Sequence, residues 1–227
     1  MSKNSNILRS TTVVGESKTN GRANGNQQTR SYLGGRDFEL SKRLAYCGPI
    51  DLPHHFVVLR WLCRLLEHSG HGLPWFVVTI AQTSVAIRWD AVEFWTNMVW
   101  ALIVDIIVVG SVKAIVRRSR PDYATQVKHT FSADRFSFPS GHSSRAVMMA
   151  VLFCARWTVD YNLQLAFMGW AAAVCVSRAI LGRHYVSDVV AGAVLGAFLA
   201  WFQLSFLWLD LKTCFWILWP LHEYLFI

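Results

Sequence analysis

Three short polar segments interrupt an otherwise apolar chain, and their residue types could bind and transfer a phosphate group. The first segment contains Lys113 and, seven residues later, Arg120, which is followed by Pro121. Lysine and arginine side chains supply the positive charge and the N–H donors that match phosphate oxygens. Taken alone, this segment is better explained as basic residues that anchor a helix end at a membrane boundary.

The second segment, residues 136–142 (FSFPSGH), could present backbone donors to an anion. Pro139, Ser140 and Gly141 can begin a helix, whose first N–H groups then point outward beside His142. The amino terminus of a helix is a ready site for an anion. The alternative for this segment is a plain helix start capped by Ser140.

The third segment begins with Ser177 and Arg178 and continues to His184 and Asp188. If the chain is helical from Tyr185 onward, His184 and Asp188 lie one turn apart on one face. We then expect Asp188 to accept the proton on Nδ1 of His184, which would leave Nε2 as a basic nucleophile. A surface contact within an ordinary helix is the alternative.

The three segments together are more informative than each alone, because all of them border apolar, helix-length stretches. Charged groups at membrane depth are costly and usually mark a functional site. The sequence therefore predicts one phosphate-transfer site that combines all three segments. Its expected catalytic residues are His184, His142 and Asp188, and its expected phosphate-binding residues are Lys113, Arg120, Ser140, Gly141 and Arg178.

The motifs K-x6-RP, PSGH and SR-x5-H-x3-D, in this order, resemble those of the phosphatidic acid phosphatase type 2 (PAP2) superfamily, which includes lipid phosphatases and vanadium haloperoxidases. Every motif position is matched, and the resemblance covers residues 73–209. It implies a membrane helical bundle and a two-step reaction. In that reaction His184 attacks phosphorus and forms a phosphohistidine, while His142 protonates the leaving oxygen and then activates water.

A finer likeness concerns the substrate. Several short segments resemble the polyisoprenoid diphosphate phosphatases of this superfamily: residues 65–67 (LLE), 69–72 (SGHG), 74–75 (PW), 113–120, 136–142 (FSFPSGH) and 181–184 (LGRH). This likeness implies presqualene, farnesyl or geranylgeranyl diphosphates, and their monophosphates, as substrates. One alternative is a phosphatidate, lysophosphatidate or sphingosine-phosphate phosphatase of the same superfamily. A second alternative is a non-catalytic membrane scaffold, against which the intact histidines argue.

We expect neither a metal nor another cofactor at this site. No cluster of Asp and Glu lies near the three segments, and three cations would already neutralise the phosphate charge. The five cysteines are widely spaced and form no CxxC pair, so the sequence indicates neither a zinc site nor a disulfide framework. The basic residues are not interleaved with aromatic ones on a polar face, which argues against a nucleic-acid partner.

The composition predicts which elements position these residues. Of 227 residues, 53% are hydrophobic and only 16% are charged, and the mean hydropathy is +0.31. These values largely exclude a water-soluble enzyme. We predict an all-α integral membrane protein of about six helices, of which four to six span the membrane. The apolar segments are residues 73–87, 94–116, 140–159, 163–181, 186–209 and, shorter, 215–227.

The predicted domain organisation has four parts. Residues 1–45 are expected to form a disordered, basic, cytosolic tail. Residues 46–72 should contain an interfacial amphipathic helix or a first span, because Arg60 and Arg64 lie on one helical face. Residues 73–209 form the catalytic membrane domain, and residues 210–227 form an apolar C-terminal helix.

Two further expectations concern location and a buried acid. The resemblance implies a multi-pass protein of the endoplasmic reticulum membrane and, by extension, the nuclear envelope; the sequence does not predict an oligomeric state. The side of the membrane that the site faces depends on whether residues 56–67 span it. Asp105, in the middle of a predicted span, should pair with Lys113 or with a basic residue of another helix, or else be a polar residue in a helix interface.

Overall fold

A computed structural model describes residues 32–48, 54–123, 136–157 and 160–225, and all regular secondary structure within these ranges is helical. The all-α fold class is therefore confirmed for the described residues. Residues 36–227 form one compact unit. The helices are α1 (Tyr32–Leu44), α2 (Val57–Ser69), α3 (Gly72–Val85), α4 (Trp89–Val116), α5 (Gly141–Arg156), α6 (Tyr161–Ile180), α7 (Val186–Phe202) and α8 (Leu211–Leu225).

Three of the described helices are long and apolar enough to cross a membrane. They are α4, α6 and the continuous segment Val186–Leu207, in which a π-helical turn (Gln203–Leu207) extends α7. At about 1.5 Å per residue, the 28 residues of α4 exceed the roughly 30 Å thickness of a hydrocarbon core. Helix α3 is apolar but shorter. The total of four to six spans stays a prediction for the shorter helices.

Helix α5 lies at the centre of the bundle, where it packs against α4, α6 and α7. It is only 16 residues long and buries most of its side chains. Because its neighbours surround it, α5 needs no continuous lipid-facing stripe. The main core cluster joins α4, α5 and α7 through Phe94, Met98, Leu102, Met148, Met149, Leu152 and Leu199.

Two glycines allow α7 to approach α5 unusually closely. A Cβ atom at Gly192 would overlap the carbonyl oxygen of Ser140, and one at Gly196 would overlap that of Ser144. Small residues four apart are a common means of close helix packing in membranes. The approach brings the start of α5 against the start of α7, which are the ends that carry the predicted site.

The acid predicted in the middle of a span forms a buried ion pair. Oδ2 of Asp105 lies 3.0 Å from the guanidinium of Arg145 on α5, and the Ser144 hydroxyl donates to Oδ1 at 2.7 Å. Asp105 is fully buried. The partner is therefore a basic residue of another helix rather than Lys113. The Arg145 guanidinium also packs against Gly72 at the start of α3.

Helix α1 corrects the predicted extent of the N-terminal tail. Disorder to residue 45 was expected from composition, and this prediction is wrong for residues 32–44, which are helical. The helix is stabilised by tertiary contacts that composition does not reveal. The ring of Phe38 packs edge-on against Tyr123 at 5.6 Å, and Ser41 is buried. The rest of the predicted tail, residues 1–31, lies outside the described residues.

Helix α2 exposes apolar side chains where the sequence predicts an interfacial helix or a first span. Its buried Cys63 packs with Cys47 and Leu181. Such an apolar outer face suits contact with lipid in either arrangement, so both alternatives stay open. The exposed residues are Val57, Val58, Trp61, Leu62 and Leu65.

Candidate active site

Backbone contacts join the first predicted segment to the second. Ser119 and Phe136 form an isolated antiparallel bridge, and the Ser137 amide donates to the carbonyl of Arg118 at 2.9 Å. Lys113, near the end of α4, donates from Nζ to the carbonyl of Phe136 at 2.8 Å. The chain that precedes α5 is thus held against the end of α4.

The third segment is tied to both of the others. The Ser140 amide donates to the carbonyl of Asp188 at 3.0 Å, and the guanidinium of Arg120 donates to the carbonyl of Arg183 at 3.2 Å. Between α6 and α7 the chain turns through Gly182, whose φ of 66° lies in the left-handed region that glycine adopts readily. The three polar segments predicted to come together are therefore close in the structure.

The ring of His184 is held in one tautomer at the centre of these contacts. Its Nδ1 lies 2.8 Å from the carbonyl oxygen of Ser137. Because a carbonyl can only accept a hydrogen bond, Nδ1 must carry the hydrogen and Nε2 of the neutral ring keeps its lone pair. Burial, together with the positive charges of Arg178, Arg120 and Lys113, holds the pKa of His184 well below its usual value. The ring is therefore neutral, as a nucleophile must be.

Asp188 does not accept the His184 proton, and this part of the prediction is wrong. Its Oδ2 lies 3.8 Å from Nδ1 of His184 and instead accepts the Tyr185 amide at 3.0 Å. Its Oδ1 accepts from Arg118 at 2.7 Å. The reason is the start of α7, whose unpaired amide groups need acceptors. The carbonyl of Ser137 takes the place next to the imidazole.

His142, in the first turn of α5, is the second imidazole of the site. Its Nε2 is buried and has no hydrogen-bond partner among the described residues. The ring of His71 meets it edge-on, with ring centroids 5.7 Å apart. Nδ1 of His71 itself accepts the Leu73 amide at the start of α3. This arrangement leaves Nε2 of His142 available to a substrate oxygen or a water molecule.

The start of α5 presents a buried hydroxyl group and an amide without a partner in the helix. The fully buried Ser140 oxygen accepts hydrogen bonds from the amide of Ser143 at 3.4 Å and from its hydroxyl at 2.9 Å. Its own hydrogen is therefore directed to a further acceptor. The amide of Gly141, the first residue of α5, has no carbonyl partner within the helix. Both groups suit the binding of an anion.

Arg178 is held by an acid that sequence reasoning did not assign to the site. Its guanidinium is almost completely buried and lies 2.8 Å from Oε1 of Glu67 at the end of α2. Although burial would raise the pKa of Glu67, the charge of Arg178 holds that pKa below its usual range. Glu67 therefore stays ionised and orients Arg178. The signal available in the sequence was an acid within an apolar helix, which requires a partner.

Arg118 is a second residue that sequence reasoning missed. Its guanidinium lies between two carboxylates, 2.7 Å from Asp188 and 2.7 Å from Asp37, and it covers the ring of Tyr185 at 3.9 Å. Arg118 lies two positions before Arg120 in the first segment. The motif includes Arg120, which precedes Pro121, but not Arg118. Its role at the start of α7 depends on tertiary contacts.

The described residues contain no group of three His, Cys, Asp or Glu side chains arranged to hold a metal ion. Metal-independent activity stays a prediction. What the arrangement offers is a neutral imidazole with a lone pair on Nε2, three cations close enough to lower its pKa, and a second imidazole with an unpaired nitrogen. These groups can transfer a phosphoryl group to nitrogen and then to water.

Fold and site together define a helical membrane protein built for phosphoryl transfer. Residues 94–212 match the PAP2 superfamily, and the chain belongs to this superfamily. The matched range contains every residue of the predicted site. The family resemblance inferred from the motifs is therefore confirmed.

Individual relatives agree with this assignment. The chain is 37% identical to a probable lipid phosphate phosphatase beta of Arabidopsis thaliana, over 52% of this chain and 68% of that protein. It is 29% identical to the decaprenylphosphoryl-5-phosphoribose phosphatase of Mycobacterium tuberculosis, over 59% of this chain and 72% of that protein. The fold matches the crystal structure of a transmembrane PAP2 type phosphatidylglycerolphosphate phosphatase from Bacillus subtilis, with a TM-score of 0.59 and 25% sequence identity. The match covers 77% of this chain and 85% of that chain. The chain is a membrane lipid phosphatase of the PAP2 type.

Proposed function

We propose that this membrane lipid phosphatase hydrolyses isoprenoid diphosphates and monophosphates, such as those of presqualene, farnesol and geranylgeraniol. The observation that carries the proposal is the tautomer of His184, which leaves the lone pair on Nε2 of a ring that the charges of Lys113, Arg120 and Arg178 act on. The isoprenoid specificity is supported by the finer sequence likeness and by the relative named for a decaprenylphosphoryl substrate.

In the first step, Nε2 of His184 attacks the terminal phosphorus and the bond from phosphorus to the leaving oxygen breaks. His142, protonated when the negatively charged substrate is bound, gives a proton to that oxygen from Nε2. The three cations and the donors of Ser140 and Gly141 hold the phosphoryl oxygens, where negative charge is spread in the transition state. The carbonyl of Ser137 keeps the hydrogen on Nδ1 and stabilises the positive ring.

In the second step, His142, now neutral, takes a proton from a water molecule that attacks the phosphohistidine. The bond from phosphorus to Nε2 breaks, inorganic phosphate leaves and His184 regains its lone pair. Asp188 acts through its neighbours in this scheme, because it fixes the start of α7 rather than the imidazole proton. The cycle needs no metal and no other cofactor.

An apolar groove between α3 and α6 is suited to the lipid chain. The leaving group must lie on the side of His142, and the turn that precedes α3 brings His71 beside that ring. The indole N–H groups of two lining residues, Trp75 and Trp170, both donate to Ser69. The groove is lined by Trp75, Leu163, Ala166, Phe167 and Trp170.

A substrate panel with purified protein tests the proposal. Phosphate release should be fastest from farnesyl, geranylgeranyl and presqualene diphosphates, slower from their monophosphates, and absent for every substrate with His184→Ala. Brief reaction with a terminally labelled diphosphate should leave label on the protein in an acid-labile, base-stable form, as expected of phosphohistidine. Activity retained by His184→Ala would overturn the mechanism and favour a non-catalytic role for this histidine.

A second candidate keeps the same site but takes a glycerolipid or sphingolipid phosphate. It is favoured by the plant relative named as a lipid phosphate phosphatase and by the Bacillus subtilis structural relative. Phosphatidate, lysophosphatidate and sphingosine phosphate therefore belong in the same panel. Higher kcat/KM on any of these than on farnesyl diphosphate would select this candidate.

We further propose residence in the endoplasmic reticulum membrane, with the basic N-terminal tail in the cytosol.

A further inference from the structure

The first amide groups of α7 are capped by side chains of α1, far away in the sequence. A helix start leaves its first N–H groups without partners inside the helix. The amide of Val186 donates to the hydroxyl oxygen of Ser41 at 2.9 Å, and the amide of Ser187 donates to Oδ1 of Asp37 at 3.1 Å. Of these first amides, Asp188 on α7 itself accepts that of Tyr185. The start of α7 is therefore completed by α1.

Asp37 also connects this cap to the ion pair of Asp188. Its Oδ2 lies 2.7 Å from the guanidinium of Arg118, whose other nitrogen contacts Asp188. The hydroxyl of Ser187 donates to the same oxygen of Asp37. Burial raises the pKa of Asp37, but the hydrogen bonds from Ser187 and the charge of Arg118 outweigh it and hold the pKa below its usual range. Asp37 is thus a charged partner at neutral pH.

The chain after α1 holds the opposite end of the same loop. The amide of Cys47 donates to the carbonyl of Ile180, the last residue of α6, at 2.9 Å. The loop from α6 to α7 carries His184 and is therefore fixed by residues 37–47 at both of its ends. The ring of Phe38 lies 6.5 Å from that of Tyr185, directly after His184.

We propose that Asp37 and Ser41 are positioning residues, which fix the loop of His184 so that Nε2 points at phosphorus. This inference rests on the proposed function, because it assigns the nucleophile to His184. Neither residue touches the substrate, so both act through the start of α7. It follows that α1 belongs to the catalytic unit, although the sequence places it in the N-terminal tail.

The test compares Asp37→Asn and Ser41→Ala with the wild-type full chain in detergent, using farnesyl diphosphate. Displacement of a nucleophile by about 1 Å can cost on the order of a hundredfold in rate. We expect kcat to fall at least tenfold in each variant while KM changes less than twofold, because Lys113, Arg120 and Arg178 keep their places. Asp37→Glu should restore part of the lost kcat, since it returns a carboxylate to Arg118.

The pH profile separates positioning from a purely structural effect. The charged and titratable groups that face His184 are Arg178 of α6, Arg120 and Lys113 from α4 and the chain after it, His142 of α5 and Asp188 of α7. Removing the negative charge of Asp37 makes these surroundings more positive, so the acid limb of kcat/KM should move to lower pH in Asp37→Asn. In Ser41→Ala, which changes no charge, the limb should stay in place.

Glu39→Gln is the matched control, because this exposed acid on the same helix loses the same charge without contacting α7. It should keep the wild-type kcat and pH profile. Thermal unfolding of each variant reports the folded fraction, to which kcat is normalised. If kcat per folded molecule is unchanged in both Asp37→Asn and Ser41→Ala, the inference is overturned. If instead the wild type releases no phosphate from any lipid phosphate, it is the proposed function that fails.

Discussion

The two imidazoles of the site differ in what surrounds their nitrogen atoms. His184 has Nδ1 fixed by a backbone carbonyl, so its reactive nitrogen is set by main-chain geometry rather than by an acid. His142 has Nε2 buried without a protein partner among the described residues. This difference agrees with the proposed roles, in which His184 attacks phosphorus and His142 exchanges a proton.

His142→Ala should reduce the turnover of monophosphates more than that of diphosphates. A monophosphate leaves as a basic alkoxide that needs a proton, whereas a diphosphate leaves as a lipid phosphate that is already stable. General-acid catalysis typically contributes a factor of about 10² to 10⁴, and most of that factor should be lost for farnesyl monophosphate. Single-turnover rates on the two substrates measure the difference. Equal losses would contradict the role given to His142.

The acid limb of the pH–rate profile should lie below pH 6.5, near which an ordinary histidine titrates. The folded protein lowers the pKa of His184 through burial and nearby cations. As pH falls through 6.5, the ring therefore stays neutral and nucleophilic, and activity is lost only at lower pH. The measurement is kcat/KM against pH, corrected for substrate ionisation by phosphorus NMR. A limb at or above pH 6.5 would show that the site does not desolvate this ring.

Sequence reasoning identified the site residues whose charge is conspicuous in apolar surroundings. Lys113, Arg120 and Arg178 stand out in this way, and the structure brings them close to His184. Glu67 and Arg118 were not predicted as site residues, because their roles depend on ion pairs that form only in the folded protein. The partner of Asp188 was wrongly predicted since spacing shows only which groups can meet. Here the amide groups at the start of α7 need acceptors, so Asp188 bonds to the Tyr185 amide rather than to His184.

At the scale of elements, periodicity and length located most helices within a few residues. The segment predicted at 163–181 corresponds to α6 (Tyr161–Ile180), while α4 begins five residues before its predicted start at residue 94. Helix α1 could not be recognised from its own sequence, because its stability comes from contacts with the start of α7. Gly192 and Gly196 carried a readable signal, two small residues four apart, that was not used.

Gly192→Ala should impair both stability and catalysis. The new methyl group would meet the carbonyl of Ser140, and relieving that overlap must separate α7 from the start of α5. Overpacking of this kind costs about 1–3 kcal/mol. Thermal unfolding in detergent and phosphate release measure the two effects. Gly169→Ala on α6 is the matched control, since a methyl group there meets no atom within 4 Å. Equal behaviour of the two variants would contradict the close approach.

At the scale of the molecule, the net charge of +8 is partly concentrated at one site. Three cations that act on one imidazole can take over the neutralisation that a divalent ion performs elsewhere. Composition was enough to predict a membrane protein, and its basic excess indicated either basic cytosolic flanks or an anionic ligand site. It was not enough to predict the apolar groove between α3 and α6, which forms only after folding.

Activity should survive chelation of divalent metals. With EDTA in excess, phosphate release from farnesyl diphosphate should stay within twofold of the untreated rate, because the cations of the site are covalently part of the chain. Initial rates with and without EDTA, followed by addition of Mg²⁺, give the measurement. Activity that is lost with EDTA and restored by Mg²⁺ would contradict this account of charge neutralisation.

The three segments of the site are joined largely through main-chain atoms: the bridge between Ser119 and Phe136, the amide of Ser140 on the carbonyl of Asp188, and Arg120 on the carbonyl of Arg183. Main-chain atoms persist whatever side chains surround them. We therefore expect the lipid preference to be re-engineered by exchanging side chains on α3 and α6 alone, with the rate of phosphohistidine formation on a short, soluble phosphate ester left as it was.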